Sequence, residues 1–256
     1  MFNSPTDVTV TGCTFADNHI SIALFGRDAD PTFLLSTFNV QSNTFTGLGV
    51  EAPFPTVGVW VSFGAAGTVS ANSFTEFIHN GVENNAVAIV AQDGLAVEHG
   101  QFVALRPVVY SGNTFSNNSI HLLAHAANNS KITNNVFGPL AQGALEPALL
   151  VSGLNVVIAD NNFADSEGAI QLFGPGDTAY GVPRGTARNV ILTGNWFTNV
   201  TTTVRTNEQV TFQESDSQLC CFQPSFQSFK LAGNGAAQAS IRAWQGDSIV
   251  VESSST

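Results

Sequence analysis

The triplet Asn-x-Phe recurs along the chain, and its recurrence limits the available folds more than any other feature. It stands at Asn43–Phe45, Asn72–Phe74, Asn113–Phe115, Asn135–Phe137, Asn161–Phe163 and Asn195–Phe197. An opening copy carries Cys13 in the Asn place and ends in Phe15, and a closing copy, Asn234-Gly235-Ala236, lacks the Phe. Successive Phe residues from Phe15 to Phe197 lie 30, 29, 41, 22, 26 and 34 positions apart. Five and three positions ahead of the Asn stand apolar pairs: Val8 and Val10, Phe38 and Val40, Val108 and Tyr110, Val156 and Ile158, Val190 and Leu192, Phe229 and Leu231. Two copies keep only the nearer residue, Val69 or Ile132. Alternation with period two reads as a strand with one buried face. The residue directly before the Asn is Gly, Ser, Asn, Asp or Ala, which is turn chemistry.

A second apolar strand follows most copies: SIALF to Phe25, VGVWVSF to Phe63, AVAIVA to Ala91, SIHLLAH to His125, ALLV to Val151 and AIQLF to Phe173. No useful helical period is present. One repeat is therefore strand, Asn turn, inward Phe, short turn, strand and a loop of variable length. A strand-rich unit of this size cannot bury a core alone, so the units must stack. Stacking at about 4.8 Å per strand sets the Phe rings in a column and the Asn amides in a ladder. A ladder satisfies buried amides that would otherwise cost about 1–3 kcal/mol each. Cys13 fits a ladder end. A sandwich would need hairpin signals of the Asn-Gly kind between strands; only Asn80-Gly81 and Asn234-Gly235 occur.

The pattern resembles the right-handed parallel β-helix of the pectin-lyase-like superfamily, over about residues 5–236. The resemblance implies an all-β, single-stranded helix of about eight coils. A closing segment is expected over 237–256, with the stretch 200–228 irregular. The repeat begins almost at Met1 with no candidate cap. The reading is therefore that the chain continues beyond that end, or that a partner, a second copy or a further chain, covers it.

Composition narrows the partners. Charged residues make up 11% and the formal net charge is −11, with eight Lys plus Arg. Phosphate binding needs clustered cations, so nucleic acid and an anionic membrane surface are poor partners. No apolar run reaches the length of a membrane helix, and no signal-peptide pattern opens the chain. Cys13, Cys220 and Cys221 form neither a disulfide framework nor a metal motif. Sequons at Asn117, Asn128 and Asn199 carry no weight in a chain so rich in Asn. A secreted or surface location is expected.

The variable loops all leave the same corner, after the second strand. They are long after copies one, three and six, and short after copies four and five. Long loops carry function more often than short ones. Loops 92–107 and 174–189 would then stand about 14 Å apart, as walls of a groove floored by coils four and five. Strict parity on coil four turns Ile120, Leu122 and Ala124 inward, and His121, Leu123 and His125 outward onto that floor. Trp60 points outward on the same face, where it could stack on a sugar. The resemblance implies polysaccharide binding or processing, by elimination or hydrolysis. In a lyase or epimerase, Arg106 or Arg184 would neutralise a carboxylate, His121 or His99 would act as base and Tyr180 as acid. In a hydrolase Glu98, Asp93 and Asp177 would supply the carboxyl groups. Trp60, His125, Arg188 and Asp93 would bind substrate. The family's catalytic signatures are absent: Glu98-His99-Gly100 only echoes Gly-His-Gly. No clustered Asp set reads as the calcium site of the pectate lyases, so no cofactor is expected, with Ca2+ left open as the one alternative. The alternative expectation is a non-catalytic β-helix, a structural stalk or adhesin-like segment.

Overall fold

The computed structural model describes residues 7–25, 37–49, 56–62, 65–78, 86–91, 107–125, 127–144, 146–174, 178–179, 182–183, 186–206 and 210–220. Among them there is no helix. The described residues form a parallel β-helix of eight coils. The strand ahead of each Asn turn builds the first wall, running in order from Val8–Thr11 through Thr37–Gln41, Ala66–Ser70, Val108–Ser111, Lys131–Thr133, Val157–Ala159 and Val190–Thr193 to Phe212–Ser215. The short Phe strands, Thr14–Ala16, Thr44–Thr46, Ser73–Thr75, Thr114–Ser116 and Val136–Phe137, build the second. The third wall holds Ile20–Phe25, Thr56–Ser62, Ala86–Ala91, Ile120–Ala124 and Leu149–Val151. In coils six and seven the second and third walls merge into single long strands, Asn162–Leu172 and Trp196–Thr206, which pair in parallel along their length.

The turn residue decides why the chain bends where it does. Gly12, Ser42, Ala71, Gly112, Asn134, Asp160, Gly194 and Asp216 all stand in the left-handed region, with φ from 53° to 65°. Each directly precedes the ladder position. Only small or Asx residues tolerate that conformation at modest cost, which accounts for the mixed but restricted residue set.

From Asn72 to Asn161 the Asn ladder closes every side-chain bond. Asn72 Nδ2 donates to Asn113 Oδ1 at 3.1 Å and to Val40 O at 2.9 Å, while its Oδ1 accepts from the Asn43 backbone N–H and Asn43 Nδ2. The same set repeats at Asn113, Asn135 and Asn161. At the end of the ladder Cys13 contributes only its backbone N–H, to Asn43 Oδ1 at 2.9 Å. Beside the ladder, Phe15, Phe45, Phe74, Phe115, Phe137, Phe163 and Phe197 stack with centroids 4.6–5.2 Å apart and nearly parallel planes. The spacing is that of the strands themselves, so the backbone ladder and the ring column enforce one register.

The two weak copies also have reasons. In coil three the farther position is Gly67, where a Cβ would lie 2.1 Å from Phe38 O and 2.7 Å from its ring. In coil five it is Ser130, buried, whose Oγ accepts from the Val108 N–H at 3.1 Å.

The eighth coil differs from expectation. It is formed by Phe212–Ser215 and Gln218–Cys220, inside the segment read as irregular. Phe212 and Glu214 take the two inner positions, Ser217 follows the left-handed Asp216 in the ladder place, and Leu219 pairs with Phe197. Polar and aliphatic substitutes hid the copy, although its spacing is that of the other seven. The copy at Asn234 and the closing segment 237–256 lie outside the described residues.

Candidate functional site

The third wall is where parity fails. Ile22, Val59, Ile89, Leu122, Leu149 and Ile170 form one inward column. Two positions earlier, strict alternation would put Ile20, Val57, Val87 and Ile120 inward as well. They instead lie outside: Val57, Val87 and Ile120 belong to a second apolar cluster against which Ile20 packs. The residues between the columns, Gly58, Ala88 and His121, all face the lumen. A Cβ on Gly58 would meet Phe77 and Phe74 at 3.0 and 3.1 Å, Ala88 is part of the main core, and the His121 ring lies 5.6 Å from Phe115. Two successive residues per coil thus turn inward. The backbone shows the same slip, because the His121 and Leu122 amides both donate to Ala148 O, at 3.1 and 3.2 Å. That is the shared-acceptor geometry of a bulge.

This slip corrects the sequence reading of coil four. Leu122 and Ala124 are inward as expected. Ile120 is on the outer side, and His121, expected outside, is fully buried at 0% exposure. Its Nδ1 lies 3.0 Å from Asn118 Nδ2 and its Nε2 3.0 Å from Gly138 O. The amide must donate and the carbonyl must accept, so these partners assign the neutral Nε2–H tautomer. Asn118 Nδ2 also donates to Phe74 O, and its Oδ1 accepts from the Phe77 N–H. Burial pushes the imidazole pKa down to about 4, against a smaller upward pull from the Gly138 carbonyl. His121 is therefore a neutral lumen group in a saturated network.

Leu123 and His125 are on the outer side but buried, not exposed on a groove floor. Leu123 belongs to the outer apolar cluster with Val90, Leu150 and Phe173. His125 is 5% exposed, its Nδ1 2.8 Å from Ser152 Oγ. Trp60 is half-buried and packs on the same cluster. Arg188 is exposed at the corner after coil six, where its N–H donates to Gly153 O and its backbone bridges Leu154. Asp93, Glu98, His99, Arg106, Asp177, Tyr180 and Arg184 lie outside the described residues. Of loop 92–107 only Pro107 is described. Loop 174–189 contains one antiparallel pair, Thr178–Ala179 with Val182–Pro183.

At the corners after coils four, five and six the structure adds a feature absent from the sequence reading. Asn129, Asn155 and Asn189 form a second, exposed ladder. Asn155 Nδ2 donates to Asn129 Oδ1 at 3.1 Å and Asn189 Nδ2 to Asn155 Oδ1 at 3.3 Å, all three in the left-handed region. The signal was present, since each Asn stands three positions before an inner residue: Ile132, Ile158 or Leu192.

Two buried groups stand out elsewhere. The Tyr110 hydroxyl lies in the lumen with no hydrogen-bond partner, and burial pushes its pKa far up. Burial also raises the pKa of the Glu214 carboxyl on the last coil. No group of three or more His, Cys, Asp or Glu is placed to hold a metal among the described residues.

The outer side of the Phe wall is different again. Flanking each inward Phe, the outward positions of Thr14–Ala16, Thr44–Thr46, Ser73–Thr75 and Thr114–Ser116 are Thr or Ser in every case but Ala16. The column continues through Val136, Asn162 and Trp196, all exposed.

Compared with known proteins, the chain matches no family model, no curated protein and no solved structure.

Proposed function

We propose that this chain is an extracellular β-helix of the pectin-lyase-like type that binds a polysaccharide without cleaving it, in the manner of an adhesin or surface stalk. The observation that carries this reading is the burial of His121, the coil-four group best suited by type to acid–base work. An imidazole at 0% exposure, with both nitrogens bonded and a pKa near 4, reaches no substrate and is not poised for proton transfer at neutral pH. The long in-register stack supports a rigid display role. The net charge of −11 favours neutral glycans over acidic ones.

The test is a panel of neutral and acidic polysaccharides, scored for retention, for new unsaturated ends by absorbance near 235 nm, and for reducing ends. Retention without turnover is expected. Turnover on any member would reverse the reading.

A second reading keeps chemistry in the groove between loops 92–107 and 174–189, with Glu98, His99, Arg106, Asp177, Tyr180 and Arg184 as its groups. The exposed Arg188, whose backbone N–H donates to Gly153 O at the corner after coil five, favours it. Under this reading Arg184→Ala and Tyr180→Phe abolish turnover while leaving the fold intact.

A further inference from the structure

On coils one to four the outer side of the Phe wall carries small side chains, nearly all hydroxyls, in register from coil to coil. We propose that it is a docking face for a neutral, solid or extended polysaccharide; the proposal rests on the glycan-binding reading above and names its surface.

Regularity comes first. Thr14, Thr44, Ser73 and Thr114 pair in register from coil to coil, as do Ala16, Thr46, Thr75 and Ser116. Neighbours therefore repeat at about 4.8 Å along the helix axis and at about 6.7 Å, two residues, along each strand. The stacked Phe column directly behind holds this grid flat. The first column is exposed throughout these coils.

Charge comes second. No outward position of this wall from Thr14 to Gln218 is Asp, Glu, Lys or Arg, although the chain carries −11. At the next turn, however, Asp17, Glu76 and Asp165 stand along its edge in the left-handed region. An acidic glycan would meet those carboxylates; a neutral one would not.

The face also carries groups that can grip a sugar. Hydroxyls on coils one to four donate and accept, which suits sugar hydroxyls. On coil seven Trp196 is 41% exposed and its Nε1–H donates to Thr198 Oγ1 at 3.1 Å. That bond fixes the indole as a platform with little entropy left to lose, and aromatic faces stack on sugar rings. A protein partner would need an apolar centre, and only Val136 and Trp196 offer one here. The face is flat, so it suits a fibre surface or an extended chain rather than a single sugar in a pocket.

The experiment is retention of the whole protein on microcrystalline cellulose, chitin and insoluble β-1,3-glucan. It compares wild type with Thr44→Lys/Thr114→Lys, Trp196→Ala and, as control, Ile191→Lys, which puts a cation on the first wall. Retention on at least one solid is expected, falling tenfold or more in the double Lys variant and about fivefold in Trp196→Ala, with the control unchanged. Circular dichroism and melting checks that each variant is folded. Retention that survives both face variants but is lost with Arg184→Ala keeps the glycan-binding reading and overturns this face. Retention of wild type on none of the solids overturns the proposal. So does an array that restructures growing ice while binding no sugar, since its ligand would then be ordered water.

Discussion

The ladder corner and the third wall of coil four both bury polar side chains, yet they do so in opposite ways. At the corner each Asn is one of a series, and from Asn72 to Asn161 every amide hydrogen and oxygen is used by the coil above or below. At the wall His121 is unique to its coil. Its equivalents are Gly58 and Ala88, and it is accommodated by a bulge and by Asn118. Repetition makes buried polarity safe, because each copy supplies the partner for the next. A singleton must find its partners locally, at a cost in pKa.

That difference sets the order of expected effects. Asn113→Ala orphans the Asn72 backbone N–H, one Asn72 amide hydrogen and Val69 O in one step, and takes one of two donors from Asn135 Oδ1. With about 1–3 kcal/mol per unsatisfied buried group, partly relieved by relaxation, a loss of about 3–5 kcal/mol is expected in chemical unfolding. Cys13→Ala, at the ladder end, should cost under about 0.5 kcal/mol, because only its backbone N–H takes part. Equal losses at both sites would break the comparison.

The pH dependence of stability tests the other member of the pair. The folded imidazole titrates near 4 and an unfolded one near 6.5, so the unfolded chain binds more protons between those values. The contribution is therefore fully present above about pH 6.5 and is lost as pH falls toward 4, by up to about 3 kcal/mol. His121→Leu should flatten that part of the stability profile, while costing about 1–3 kcal/mol at pH 7.5 by stranding Asn118 and Gly138 O.

Tyr110 sharpens the rule from the other side, being a buried polar group that neither a ladder nor a local partner satisfies. Tyr110→Phe keeps the ring and removes the orphan hydroxyl, so a gain of about 1 kcal/mol is expected in unfolding midpoint measurements. A comparably small effect concerns the turn. Ala71 holds φ at 53° with its side chain exposed. Ala71→Gly should raise stability by about 0.5–1 kcal/mol, the left-handed penalty less the entropy of Gly.

Most of the fold was legible because the repeat states it many times. Asn43 to Asn195, the Phe column, the small turn residues and seven coils follow from spacing alone. The eighth coil was missed because Glu214, Ser217 and Leu219 keep the positions but not the residue types. The site was less legible. Parity assumes an unbroken strand, and one bulge between Ile120 and Leu122 reverses the placement of Ile120 and His121. Gly58 and Ala88, small residues at the equivalent places of two preceding coils, were the sequence trace of that slip: the lumen there already holds Phe74 and Phe77. The outer Thr and Ser of the Phe strands were in view as well, but a search for titratable groups passes over a face that has none.

The most direct test of the account is an NMR titration of the His121 ring in the folded protein. A buried, fully bonded ring should show a neutral Nε2–H tautomer from pH 7.5 down to about 5, a midpoint near 4, and an Nε2–H protected from solvent exchange. A midpoint near 6.5 with rapid exchange would place the ring in water, and would return coil four to the candidates for an active site.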